Sequence, residues 1–526
     1  MFWLGALAVG LAAVVIYDVT QRKHALLRNF PIIGHFRYLL EAVGPELRQY
    51  IVTGNDEERP FSRDERRWVY ASSKRQNNYF GFGSDNDLEQ SPSYLIVKHV
   101  TFPLADPHPG DSGYDPAYTV SCAKVLGAHR RRKRAFRPSS IVNTSAMSYG
   151  ALSPAAIEAI NRGVAIAGCM QNTGEGGLSP HHRHGGDLIW QIGTGYFGAR
   201  DEHGRFDLKR LCDTVAECPV KAIEIKLSQG AKPGLGGVLP GIKVTPEIAA
   251  IRGVPVGRDC ISPSAHSAFT DADSLLDFVE EIADATGLPV GIKSAVGDSG
   301  FWQDLARLMA ETDRAVDFIT IDGGEGGTGA APLVFADHVA LPFKVGFSRV
   351  YRELADAGIS QRVVLIGSGK LGFPDVALLA MALGCDMINV AREAMLAIGC
   401  IQAQRCHTGH CPSGVATQNA WLMRGLDPTH KAARLANYLV VLRKEMLQLS
   451  RACGKPHPAL VTLDAFDVID PGFVARPARD VFGYGDRTTP RWSPDQIREI
   501  EALAREAHST LSARTGSIEA ARLAGR

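Results

Sequence analysis

The chain has 526 residues, enough for a barrel-sized domain with sizeable extra segments. Its hydrophobic fraction of 45% and charged fraction of 21% are those of a globular protein, and a net charge of +1 gives no electrostatic case for a nucleic-acid partner. Ten cysteines over this length are too sparse for a disulfide scaffold, which points to a reducing compartment.

Phe2 to Tyr17 carries no charge. As a helix it spans ~24 Å against a hydrocarbon core of ~30 Å, with Trp3 and Tyr17 placed as interfacial anchors. Nothing basic precedes the run, whereas Arg22, Lys23 and Arg28 follow it. That order disfavours a signal peptide, and the positive-inside rule leaves the body in the cytoplasm. Residues 1–20 are therefore expected to be a single-pass anchor in the cell membrane, with a buried N-terminal helix as the alternative. Residues 21–136 read as a folded extension without evident chemistry. It has charged surface stretches at Asn55–Pro60 and Ser62–Arg67, and a strand at Ser93–Lys98. The basic run Arg130–Arg134 reads as a solvated face, with contact to anionic lipid as the weaker alternative.

From Ile141 the pattern becomes regular. Apolar runs at Ile141–Ala146, Val164–Cys169, Leu188–Ile192, Ala222–Leu227, Val290–Lys293, Phe318–Ile321, Val363–Ile366 and Met387–Val390 predict eight strands buried on both faces. Helical patterns at Pro154–Gly163, Asp273–Thr286, Trp302–Glu311 and Pro374–Leu383 lie between them. Eight such units predict an α/β fold, a (β/α)8 TIM barrel over residues 137–430. Residues 229–288 form an elaborated loop. Residues 431–526 are helical and then Pro-rich.

Functional groups of such a barrel sit just after the strands. After the first run comes Ser145-Ala146-Met147-Ser148, small residues that admit a flat ring, then Ser153-Pro154, which caps a helix. After the second comes a glycine loop with one carboxylate, Glu175; after the fourth, Gln229 and Lys232 among glycines. The loop after the sixth contains Gly327. Gly367-Ser368-Gly369 and Ala391-Arg392 end the last two strands, where barrels commonly grip a phosphate. Gly367–Gly372 also matches a dinucleotide fingerprint, but Asp386 stands at the start of the next strand rather than its end. Lys293 ends the fifth strand, placed to face a flavin or to pair with Asp322.

Cys400, Cys406 and Cys411, the last followed by Pro412, can hold an iron–sulfur cluster, and the missing fourth thiol favours three irons. Zinc on Cys406, His407, His410 and Cys411 is the rival. His181, His182 and His184 read as solvated surface.

These loops, with Ile261-Ser262-Pro263 and the run Cys400–Gln418, resemble the FMN-binding synthase domain of the glutamate synthase family. The resemblance implies FMN, a [3Fe-4S] cluster on Cys400, Cys406 and Cys411, and 2-oxoglutarate or a related keto acid held by Gln229, Lys232 and Arg252. It implies Glu175 and Lys232 as catalytic groups in a reductive amination whose imine is reduced by FMN. The chain departs from the family at three places: Val238 for a glutamine, Asp271 for a serine, and Gly324-Glu325 for a His-Asp pair. No glutaminase or pyridine-nucleotide segment is read in the chain. Ammonia is therefore expected free or from a glutaminase, and electrons from ferredoxin or an NAD(P)H flavoprotein. An N-alkylglutamate synthase using an alkylamine, or a membrane-tethered flavin and iron–sulfur electron carrier, are the alternatives.

Overall fold

A computed structural model describes residues 2–21, 25–48, 58–84, 93–109 and 114–506, with residues 52, 86, 88, 91 and 111. Arg22, Lys23, residues 55–57 and residues 507–526, which entered the anchor, surface and tail readings, lie outside the described residues. Two compact units divide between Arg67 and Trp68.

In the first unit, Phe2–Thr20 is one helix with Trp3, Leu4, Leu7, Val9 and Ile16 exposed. Asp18 ends its apolar stretch by accepting from the Ile32 amide at 3.0 Å and pairing with His35 at 2.8 Å. Among the described residues this is the one helix long and apolar enough to cross a membrane.

The second unit is built on a closed barrel of eight parallel strands. They are β1 (Val142–Thr144), β2 (Met170–Asn172), β3 (Asp187–Ile192), β4 (Val220–Lys226), β5 (Val290–Ser294), β6 (Phe318–Asp322), β7 (Val364–Ser368) and β8 (Met387–Val390). Each pairs with the next in sequence, and β8 closes on β1. Seven of the eight expected runs hold strands. The run Val164–Cys169 does not. Ile157, Ile160 and Val164 lie on one buried face of the helix Pro154–Ala167, so the run begins as that helix's last turn. Gly168, at φ 68°, stops the helix, and β2 begins at Met170. At its other end Ser153 accepts from the Ala156 amide and Pro154 opens the first turn, the expected cap.

Helices follow the strands except between β2 and β3, where the only helical element is the 3₁₀ turn Pro180–His182. The long helix Pro428–Ala452 runs across the expected boundary at residue 430 and packs on Pro154–Ala167, where a Cβ on Gly163 would stand 2.9 Å from Leu435. The extension and the tail also meet: Tyr94–Val97 pairs antiparallel with Phe466–Ile469.

The bottom of the barrel is plugged by the end of the extension. Cys122 and Leu126 join Met170, Ile189, Ala222, Phe318, Val364, Ile366 and Met387 in one buried core, with Phe136 packed against it. The basic run borders this plug: Arg131, Lys133 and Arg134 are exposed, as a solvated face requires, but Arg130 and Arg132 turn inward, which corrects that reading for these two. Arg132 is buried, with Nε 2.9 Å from Asp317 and Nη1 2.6 Å from Glu280. Arg130 pairs with Glu280 at 3.1 Å, and Arg134 donates to the Val220 carbonyl. Asp386, weighed as a dinucleotide acid, is buried beside Lys124 at 3.0 Å and accepts from the Leu365 amide. The closed barrel and this pairing exclude the dinucleotide reading of Gly367–Gly372.

Candidate active site at the strand ends

A polar belt crosses the barrel above the apolar plug. Glu224 on β4 accepts from Asn172 at 2.7 Å, Gln191 at 2.6 Å and Thr320 at 2.6 Å, which satisfies a fully buried carboxylate from three strands. The same groups shape the loop above. The Asn172 side chain accepts from the Gly174 amide, and Thr173 Oγ1 accepts from the Gln191 amide. Gly174, at φ 67°, leaves no room for a side chain: a Cβ there would stand 2.6 Å from the Ser148 amide. The turn carries Glu175 over the barrel mouth.

There Glu175 meets Lys226, the last residue of β4. The Lys226 ammonium lies 2.6 Å from Glu175 Oε1 and 2.7 Å from Gln229 Oε1. Lys226 was missed in the sequence. In strand register it stands beside Lys293, two lysines at one height on neighbouring strands, and that pairing was the available clue. Burial works to raise the Glu175 carboxyl, but Lys226, then Lys293 and Arg252, outweigh it and hold it below its ordinary value. Burial also lowers the Lys226 amine, against the pull of Glu175.

The Lys226 backbone is held from behind. The His266 ring lies with Nε2 2.9 Å from the Lys226 carbonyl and Nδ1 3.1 Å from the Tyr196 hydroxyl. Because a carbonyl only accepts, Nε2 carries the proton and Tyr196 donates to Nδ1. Burial lowers the imidazole pKa and favours this neutral form.

The remaining expected substrate residues stand around this group. Lys232 is buried and donates to the Gly236 carbonyl at 2.5 Å and the Ala330 carbonyl at 3.3 Å, tying two loops together. Burial, then Lys226, lowers its amine. Arg252 ends the helix Pro246–Arg252, donates to the Tyr149 carbonyl at 2.8 Å and lies over the Phe197 ring. Its Nε is buried without a partner. Lys293 is buried with its nearest carboxylate, Asp322, at 3.9 Å, beyond hydrogen-bond reach. The pairing with Asp322 held as its alternative is therefore present, as a long ion pair.

The expected cofactor residues gather on the β1, β7 and β8 side. Ser145 Oγ is 3.3 Å from Ser368 Oγ, and the Ser145 amide donates to Val390. Ala146, Met147 and Ser148 continue from Ser145 toward the Gly174 turn. Gly369 approaches Gly323, and Gly367 lies inward against Phe343 and Cys385. A Cβ on Gly327 would stand 3.0 Å from Arg392, whose guanidinium donates to the Glu325 carbonyl, next to Ala391. A buried ammonium at the end of β5, held only loosely by Asp322, and small residues at the ends of β1 and β7 fit an anionic flat ring.

The cysteine segment lies against this side: a Cβ on Gly329 would stand 3.0 Å from Cys406. Lys243 donates to the carbonyls of Cys406 at 2.7 Å and Ala416 at 3.0 Å. Gln402 and Gln404 hold left-handed backbone, and the Gln402 amide donates to the Cys400 sulfur at 3.4 Å. Burial, then Cys411, raises the Cys406 thiol. For Cys411 burial is outweighed by the Ser413 hydroxyl and the amides of Ala416, Ser413 and Val415, which hold it below the ordinary value. Among the described residues no three His, Cys, Asp or Glu side chains are drawn together as metal ligands. The three thiols therefore do not form a closed set, and neither does the zinc alternative, whose His407 and His410 are exposed. The upstream histidines also separate: His181 pairs with Glu247, His184 stands 3.9 Å from Glu158, and His182 is buried against Ser179 rather than solvated.

Of the three departures, Asp271 lies outside the site. It caps the helix Ala272–Thr286 by accepting from the Ser274 amide at 2.8 Å. Glu325 accepts from the Phe343 amide at 2.8 Å. Val238 is exposed on a short two-stranded antiparallel sheet, opposite Ile261.

Residues 122–456 match the conserved region in glutamate synthase, a wider span than the barrel motifs alone marked. The chain is 38% identical over 500 residues to the glutamate synthase large subunit-like protein YerD of Bacillus subtilis, covering 87% of this chain and 93% of that one. It is 32% identical over 350 residues to a glutamate synthase large subunit-like protein of Rhizobium meliloti, covering 63% of this chain and 75% of that one. It is 38% identical over 314 residues to the archaeal glutamate synthase [NADPH] of Methanocaldococcus jannaschii, covering 59% of this chain and 58% of that one. With the model matched across the whole barrel and the strand-end loops in place, the chain belongs to the glutamate synthase family.

Proposed function

We propose that the protein is an FMN-dependent oxidoreductase that carries out a glutamate-synthase-type reductive amination of 2-oxoglutarate or a related keto acid. The observation that carries this reading is the group at the barrel mouth: Glu175 and Gln229 on one ammonium, with Lys293, Lys232 and Arg252 around them. It offers more positive than negative charge, as a dicarboxylate needs.

Arg252, through its unpartnered Nε, and Lys232 pair with the acid groups of the keto acid. Glu175 holds and returns the proton as the amine condenses with the ketone. FMN, when bound, supplies the hydride. Ser145, Ala146, Met147 and Ser148 would line its ring, Lys293 would stabilise the reduced, anionic ring, and Gly327, Gly367–Gly369, Ala391 and Arg392 would hold its phosphate. An iron–sulfur cluster on Cys400, Cys406 and Cys411 belongs to the same proposal. Its support is the spacing of the thiols and their place against the loop after β6. Electrons come from ferredoxin or an NAD(P)H flavoprotein, and ammonia is free or supplied by a glutaminase. The helix Phe2–Thr20 anchors the chain in the cell membrane, with the catalytic unit cytoplasmic; its exposed apolar side chains support this.

Purified full-length protein is expected to carry yellow flavin absorbance and iron, and to form glutamate from 2-oxoglutarate and ammonia under a chemical reductant. Parallel assays with glutamine and methylamine identify the nitrogen donor. Absence of flavin, or a flavin spectrum that millimolar 2-oxoglutarate leaves unchanged, overturns the reading. Recovery of the protein in the soluble fraction overturns the anchor alone.

A further inference from the structure

We propose that Lys226 is a positioning residue that makes the site read a carboxylate, by fixing which face of the Gln229 amide the substrate meets. The inference rests on the functional reading above and extends it to a residue outside the expected substrate set.

Lys226 stands at the end of β4 with its ammonium between Glu175 Oε1 and Gln229 Oε1. An ammonium only donates, so the amide must turn its oxygen toward Lys226. The amide NH2 group is then directed away from Lys226, as a pair of donors. A carboxylate only accepts and so always matches those donors, whereas an amide or alcohol matches them only when it turns its oxygen, and not its own donor, toward them. Without the lysine the Gln229 amide can rotate and offer either face. The two bonds, 2.6 Å and 2.7 Å, are short and charge-assisted, so the lysine holds both partners at once.

The position of the ammonium is itself determined. The Lys226 carbonyl accepts from His266, whose ring is set by Tyr196 and stacked on Phe269. Strand pairing with β5 sets the residue at the height of Lys293. A side chain so braced is a rigid support for a specificity contact.

Removing Lys226 alone leaves the largely buried Glu175 without its partner, so a loss of binding by itself is ambiguous. The test is therefore a cycle on the full-length, FMN-loaded protein: Lys226→Met, Glu175→Gln, the double variant and Lys226→Arg. Each is titrated with 2-oxoglutarate and with its amide, 2-oxoglutaramate, and read by the flavin spectrum. The wild type is expected to prefer the acid. Lys226→Met is expected to weaken 2-oxoglutarate by roughly tenfold or more and to narrow the preference over the amide, the scale of a charge-assisted hydrogen bond. The same narrowing is expected in the Glu175→Gln background, where no carboxylate is left unpaired, and Lys226→Arg is expected to restore most of the preference. If Lys226→Met matters only while Glu175 is present, or leaves the acid-to-amide ratio unchanged, the inference is overturned and the functional reading stands. A wild type that does not respond to 2-oxoglutarate overturns both.

Discussion

The two ends of the barrel both bury charge, and they do so differently. At the bottom, Arg130 and Arg132 face Glu280 and Asp317, and Lys124 faces Asp386, one carboxylate for each cation. At the top, Lys226, Lys232, Lys293 and Arg252 stand around Glu175 and Asp322. The bottom is closed electrostatically and needs nothing further. The top holds more cations than carboxylates: the Arg252 Nε has no partner, and Lys293 meets Asp322 only at 3.9 Å. A balanced buried network is what structure requires, and an unbalanced one is what an anionic ligand requires.

The sharpest way to break this contrast is to neutralise one group at each end. Glu175→Gln should lower glutamate formation by about 10²–10⁴-fold while flavin content holds, since it removes the proton-handling carboxylate. Steady-state turnover at saturating 2-oxoglutarate checks this. Arg132→Met should instead destabilise the protein by about 3–5 kcal/mol, because it strands Asp317 in the plug and leaves Glu280 with Arg130 alone. Urea unfolding measures it, and the fraction that remains folded should keep its keto-acid affinity. Were Arg132→Met to alter affinity more than stability, the division between the two ends would fail.

A pH titration sharpens the same division. His457 is buried below the barrel, with Nε2 donating to the Ser121 carbonyl and Nδ1 accepting from the Ala459 amide, so the fold uses it neutral. Burial lowers its pKa to about 4 from 6.5. A histidine depressed in the folded state contributes stability that is complete above the unfolded value. That stability is lost as pH falls from 6.5 through about 4. The loss should reach about 3 kcal/mol and disappear in His457→Gln, read as the difference in unfolding free energy between neutral and acid buffer. Flavin-site ligand affinity should not follow this profile.

The difference between the ends also explains what the sequence disclosed. The strand runs were legible because burial on both faces leaves continuous apolar segments, and the functional loops because glycines and lone polar residues recur after each strand. Val164–Cys169 misled because a buried helix turn and a buried strand look alike over six residues. Arg130 and Arg132 misled because their partners, Glu280 and Asp317, lie some 150 and 185 residues away, and only the folded chain brings them close. Lys226 was hidden for a similar reason. It ends an ordinary strand, and its meaning comes from Glu175, which another strand delivers. The thiols show the converse, a spacing that speaks of a cluster before any three side chains are gathered.

Asp271 tests how far the functional end extends. It departs from the family's serine, yet its carboxylate is exposed and caps a helix through the Ser274 amide. Serine at this position can accept the same hydrogen bond, so Asp271→Ser should change stability by less than about 0.5 kcal/mol, whereas Asp271→Ala should cost about 1 kcal/mol. Neither should move the 2-oxoglutarate titration of the flavin. Thermal unfolding and that titration, run on both variants, separate a capping residue from a substrate residue. A shift in affinity with Asp271→Ser would mean that the helix start reaches the bound acid, and the positive end of the barrel would then have to be drawn wider than the group around Glu175.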